Sequence, residues 1–243
     1  GRASSRVGPS SEIGLKFDFI LVHESAHEWW GNSVTSKDIA DMWIHESFGA
    51  YAEALYVECR FGYKEALDYI NAKKVPISNT RPIIGVYNVN NEGSGDMYNK
   101  GQLVLNTLRS VISDDSLWFA VLRGLAEKFK YQTITADDVV HYVNEKTGTD
   151  FTYLFDQYLR FPRIPQLEVF ITKKADSVRA ELKWNADVPD FRMPVKVTTS
   201  KDRHEWIYPT TTWQRVILGE IDPREFKLAE DLFYVDLKLN WAY

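Results

Sequence analysis

The spacing of apolar residues changes once along this 243-residue chain, near residue 163, and that change limits its fold more than any other feature. Upstream, KFDFILVHESAHEWWGN and DIADMWIHESFGAYAEALYVECRFG repeat apolar residues with the period of one helix face. GSGDMYNKGQLVLNTLRSVI, DDSLWFAVLRGLAEKF, TADDVVHYVNEKTG and DFTYLFDQYLR do the same. N-caps are expected at Asp114 or Asp115, at Thr135, and at Thr149 or Asp150. Past FPRIP the period falls to two in LEVFITKKA, SVRAELKWN, MPVKVTTS, EWIYPT, TWQRVIL and LFYVDLKLNW. The expected class is α plus β, with a helical part over residues 1–163 and a small all-β, sandwich-like domain over residues 164–243.

Composition limits the partners. The apolar share of 44% and charged share of 26% suit a globular chain with a sizeable core. A formal charge of −5 leaves no basic footprint, so neither nucleic acid nor an anionic membrane surface is expected as a partner. No apolar run approaches the roughly 20 residues of a membrane span. The opening GRASSRVGPSSE has no apolar stretch and does not read as a signal peptide. Cys59 stands alone, which excludes an internal disulfide, and is read as structural.

Within the first helical run lies HESAHEWW, residues 23 to 30. A chance H-E-x-x-H in such a chain has a probability of about 1%, and the pattern is a metallopeptidase signature. Residues i and i+4 share a helix face, so His23 and His27 can direct two imidazoles at one ion. Glu24 then projects to the flank of the metal, placed to accept a proton from a water without ligating the ion. A catalytic zinc needs a third protein ligand and an open position. The second run offers Glu46, or His45 beside it. Glu53, nearly two turns beyond Glu46, falls on the same face and is placed to accept the other ring N–H of a ligating histidine.

These segments resemble the aminopeptidase N family of zinc metallopeptidases, the gluzincin group that also includes leukotriene hydrolase. HESAHEWWGNSVT is similar to the family pattern H-E-x-x-H-x-W-x-G-N-x-V-T, and DMWIHESFGAYAE to D-x-W-L-N-E-G-F-A-x-Y-x-E. The resemblance selects Glu46 over His45 as the third ligand beside His23 and His27, and makes Glu24 the general base. It implies that Tyr98, in YNKG, donates to the oxyanion of the tetrahedral intermediate, with Tyr87 the weaker rival. Two positions depart from the pattern: His45 replaces the usual asparagine and Ser47 the usual glycine. Neither removes a ligand or the base, but both alter the wall beside the metal. GDMYN at residues 95–99 is similar to the family's amine-anchoring G-x-M-E-N, yet it follows the zinc motif and has Tyr98 in place of the glutamate, so it is rejected.

The resemblance implies the helical half of a thermolysin-like catalytic domain followed by a β-sandwich. It implies one Zn2+ per chain and a zinc aminopeptidase that removes N-terminal residues from peptides by attack of a zinc-bound water. Only 22 residues precede His23, so the chain is expected to be a C-terminal fragment whose partners are a peptide substrate and the missing N-terminal portion of the same polypeptide. The alternatives are a zinc endopeptidase or epoxide-opening hydrolase of the same fold, and a non-catalytic zinc or peptide-binding module. Trp29 and Trp30 are expected to pack rather than touch substrate, and Arg81 and Glu92 lie in the loop before Tyr98.

Overall fold

Local sequence signals set where several of the helices begin or end. A computed structural model describes residues 12–174, 177–200, 203–219 and 222–242. Helix α1 (Phe19–Ala26) starts where Asp18 accepts the Leu21 N–H at 3.0 Å, an N-cap that satisfies one of the four unpaired amides. It ends at Ala26, three residues before WWGN begins, because His27 N–H turns back to the Glu24 carbonyl in a tighter turn. A short strand β1 (Val34–Ser36) and a 3-10 turn (Ile39–Asp41) lead into α2 (Trp43–Phe61), the longest helix described. Gly62 breaks the chain direction, and α3 (Tyr63–Ala72) follows. α3 lies outside the six expected helical segments, though YKEALDYINA buries Ala66, Leu67, Tyr69 and Ile70 along one face.

After a long loop come a 3-10 turn (Gly95–Met97) and α4 (Asn99–Ile112), then α5 (Asp115–Lys128), strand β2 (Gln132–Ile134), α6 (Ala136–Thr147) and α7 (Thr152–Arg160). Asp114 caps α5, and Thr135 with Asp138 forms a capping box on α6. At α7 the N-cap position belongs to Phe151, which has no capping side chain; Asp150 instead accepts the Thr152 N–H at 3.0 Å from one residue earlier. Strands β1 and β2 pair in parallel, Val34 opposite Gln132, a pairing across about 100 residues that no local periodicity can announce.

Downstream, β3 (Gln166–Lys174), β4 (Ser177–Asn185), β7 (Gln214–Gly219) and β8 (Asp236–Ala242) form a four-stranded sheet in the order β7-β4-β3-β8. β3 pairs with β8 in parallel and with β4 antiparallel. β5 (Val195–Ser200) and β6 (Arg203–Ile207) form a separate two-stranded ribbon. Val195, Val197 and Ile207 of the ribbon join Leu167, Val169, Ile171, Ala180 and Leu182 of the larger sheet in one apolar cluster, which continues into the helices.

Polar ties hold the helices to one another and to the β-rich part. Lys100, fully buried on α4, donates to the Phe161 and Pro162 carbonyls at 3.1 and 2.8 Å, and burial lowers its pKa to about 8. Tyr158 donates to the Tyr234 carbonyl at 2.6 Å. Arg109 of α4 makes a two-pronged ion pair with Glu58 of α2, at 2.6 and 2.9 Å, fixing these two helices along their length. Cys59, on α2, is exposed rather than built into the core. Among the described residues, no helix is long and apolar enough to cross a membrane.

Candidate metal centre

His23 and His27 reach the same point because one sits inside α1 and the other at its C-cap, with helical backbone angles still in force. Their rings lie 4.8 Å apart, centroid to centroid, and nearly perpendicular. Glu46, in the first turn of α2, completes the group: its Oε2 stands 3.1 Å from His23 Nε2 and 3.7 Å from His27 Nε2. One ligating atom from each residue lies within 4.8 Å of the others. Bonds of 2.0–2.1 Å to a tetrahedral zinc place neighbouring donors about 3.3 Å apart, and the observed separations bracket that value. Close approach of α1 to α2 depends on Gly49, where a Cβ would stand 3.0 to 3.4 Å from the His23 ring atoms.

The remaining ring nitrogens are held outside the cluster. His27 Nδ1 donates to the Trp30 carbonyl at 2.9 Å; a carbonyl only accepts, so the proton sits on Nδ1 and the Nε2 lone pair faces the centre. His23 Nδ1 lies 2.9 Å from Glu53 Oε1, and the other Glu53 oxygen accepts a short hydrogen bond from Tyr69, with Lys73 Nζ at 4.0 Å. Burial disfavours the His23 imidazolium, but hydrogen bonds to Glu46 and Glu53 outweigh it and lift its pKa to about 9. Glu46 is pushed up by burial and, more strongly, held down by its hydrogen bond to His23 and the charge of both histidines. A cation among the three donors would replace the His23 proton. Two neutral imidazoles, one carboxylate and an oriented outer layer form a donor set that fits zinc.

His45 takes no part. Its Nε2 accepts the Ser36 N–H at 2.8 Å, and burial lowers its pKa, so it stays neutral and turned toward β1. Tyr87 is likewise placed elsewhere, donating to the buried Asp41 at 2.8 Å. Tyr98 does reach the centre: its ring lies 5.8 Å from that of His23, and burial together with the adjacent Glu46 carboxylate raises its pKa, so it remains a protonated donor. Glu24 is exposed on α1. His23, Glu24, His27, Glu46, Glu53 and Tyr98 line one cleft of about 1090 Å³, and Arg81 lies on its wall. A more apolar groove of about 800 Å³, on another side of α1, contains none of these six residues. Trp30 stacks on Phe48 at 4.3 Å, as expected of a packing residue, but Trp29 is 58% exposed and borders that second groove.

Residues 10–158 match the peptidase family M1 domain. The chain belongs to peptidase family M1. Among its M1 relatives, leucyl aminopeptidase of Saccharolobus solfataricus is 26% identical over 185 residues, 71% of this chain and 23% of that protein. Aminopeptidase N of Lactococcus lactis is 27% identical over 165 residues, 60% of this chain and 19% of that protein. Endoplasmic reticulum aminopeptidase 2 of Homo sapiens is 29% identical over 147 residues, covering 55% of this chain and 15% of that protein. The matched region thus spans less than a quarter of each of these relatives. Legionella pneumophila aminopeptidase A, solved in complex with aspartic acid, shares the fold with a TM-score of 0.74 at 14% identity, covering 98% of this chain and 29% of that one.

Sequence reasoning missed Tyr69 and Lys73, which steady Glu53. Both belong to the overlooked α3 and the turn that ends it, and the helical spacing after Gly62 was the signal that could have found them. The Glu53 contact gives a measurable expectation. Glu53→Gln should weaken metal affinity about 10- to 100-fold while the three donors remain, as measured by competition with a chelator. An unchanged affinity would remove Glu53 from the site.

Proposed function

We propose that this chain carries the catalytic centre of a zinc-dependent aminopeptidase, a hydrolase that removes N-terminal residues from peptides. The observation that supports it best is the His23–His27–Glu46 donor cluster, set in a cleft that Glu24 and Tyr98 also line. In this reading His23, His27 and Glu46 hold zinc, which when bound supplies Lewis acidity for a peptide carbonyl and for a water.

The chain's own residues do the rest. Glu24 follows the ligand His23 directly on α1, and its exposed carboxylate takes a proton from the attacking water. It then delivers that proton to the departing amine, which must be protonated to leave. As the carbonyl carbon becomes tetrahedral, its oxygen gains negative charge, and the Tyr98 phenol donates to it. Glu53 keeps the His23 ring oriented throughout, itself held by Tyr69. Cleavage at a free N-terminus is supported by the relatives, which are aminopeptidases by name.

Peptides with free and with acetylated N-termini, offered to the protein that contains this chain, test the reading. Release of N-terminal residues from the free peptides alone is expected. Internal cleavage of the blocked peptides would point to an endopeptidase, and zinc binding without any hydrolysis to a binding module. Tyr98→Phe should lower kcat by about 10²- to 10³-fold with zinc content unchanged. A kcat equal to that of the unaltered protein would exclude the phenol from the oxyanion site.

A further inference from the structure

Ser47 lies between the residue that completes the metal centre and the segment that carries Tyr98. It follows Glu46 on α2, is fully buried, and donates from Oγ to the Met97 carbonyl at 2.8 Å. That carbonyl belongs to the peptide unit whose nitrogen is Tyr98's own, so the bond fixes the plane from which Tyr98 departs. We infer that Ser47 is a positioning residue for Tyr98, holding the backbone of the phenol in register with the metal ligands. This inference rests on the oxyanion role proposed for Tyr98.

The local backbone needs such a tie. Tyr98 sits at the junction of the 3-10 turn and α4, with ψ of −67°, and α4 begins without a side-chain cap. Regular helix hydrogen bonding therefore does not fix this residue from upstream, and tertiary contacts must. α2 supplies two: Glu46 meets the phenol, and Ser47 meets the peptide before it. Gly101, three residues beyond Tyr98 on α4, is packed onto Ser47; a Cβ there would stand 3.1 Å from Ser47 Cα and overlap the serine side chain. The glycine thus lets α4 come close enough for the hydroxyl to reach Met97. Arg109 and Glu58 clamp the same two helices further along, so the start of α4 has little freedom to adjust by sliding. A serine here, where the family pattern has glycine, adds a hydrogen bond between α2 and the Tyr98 segment that glycine has no atom to make.

Ser47→Ala deletes only the hydroxyl and leaves the buried Met97 carbonyl unpaired. Steady-state kinetics of Ser47→Ala, Tyr98→Phe and the double variant, each with its zinc content measured, test the role. Ser47→Ala is expected to lower kcat about tenfold, the scale of one lost hydrogen bond, with KM and zinc content unchanged. In the Tyr98→Phe background the same change is expected to cost nothing further, because the group it positions is gone. An equal loss in both backgrounds, or no loss in either, would overturn the inference. If Tyr98→Phe alone keeps full kcat, the oxyanion reading fails instead. Hydrogen exchange at Gln102, whose amide donates to the Tyr98 carbonyl at 3.2 Å, then decides the positioning by itself. Exchange about tenfold faster in Ser47→Ala is expected, and unchanged exchange would overturn it.

Discussion

Glu46→Gln is expected to leave a folded protein that no longer retains zinc through dialysis. The substitution keeps the volume of the side chain but removes the only anionic donor of the cluster, and a neutral amide oxygen is a poor replacement beside two imidazoles. Its effect must exceed the roughly 10- to 100-fold loss that follows from removing an outer partner such as Glu53. The fold should survive because, apart from its hydrogen bond to the Tyr98 phenol, Glu46 bonds within the centre, and Arg109–Glu58 and Ser47–Met97 hold α2 to the α4 segment without it. Metal analysis of the two proteins side by side, with circular dichroism as the control, reads the result. Equal zinc in both would mean that Glu46 is not a ligand, and would return His45 to consideration despite its bond to Ser36.

Glu24→Gln separates binding from chemistry. Zinc content should remain that of the unaltered protein, since the Glu24 side chain is exposed on α1 and outside the donor cluster. Peptide hydrolysis should fall by about 10³- to 10⁴-fold, toward the upper end of what a general acid and base contributes, because one carboxylate is asked to move the proton twice. The loss should appear in kcat, with KM little changed, as for a group whose work is confined to the transition state. Reduced zinc in this variant would show that Glu24 supports the metal; unreduced turnover would assign the proton transfers to another group.

The candidate metal centre and Tyr98 should respond differently to these changes, for a reason visible in their contacts. His23 is gripped from both sides, by Glu46 at Nε2 and Glu53 at Nδ1, so any loss there propagates to the metal. Tyr98 touches the centre only through its phenol and depends for its placement on the backbone at Met97. Variants of Glu46 and Glu53 should therefore report in metal content, while those of Glu24, Tyr98 and Ser47 should report in kcat.

Most of the helices were legible because their signals are local. Asp114 and the Thr135–Asp138 box begin α5 and α6 where their residue types predict, and the i, i+4 spacing of His23 and His27 is enough to bring both to one point. The six candidate site residues meet in one cleft, as spacing and family resemblance led one to expect. What local signals leave open is how separate stretches meet. His45 and Glu46 are neighbours in sequence and both able to ligate, yet Glu46 faces the histidines while His45 faces Ser36, a choice made by the angle at which α2 packs on α1 and β1. The pairing of β1 with β2, the parallel seat of β8 beside β3, and the grip of Tyr69 on Glu53 likewise depend on contacts between segments far apart in the chain. Sequence alone thus marked which groups of this M1 protein are candidates to bind a metal and move a proton, because those capacities belong to residue type and helical period. Tertiary structure alone decided which of them face one another, because direction in space is set by packing, and packing is a property of the whole chain.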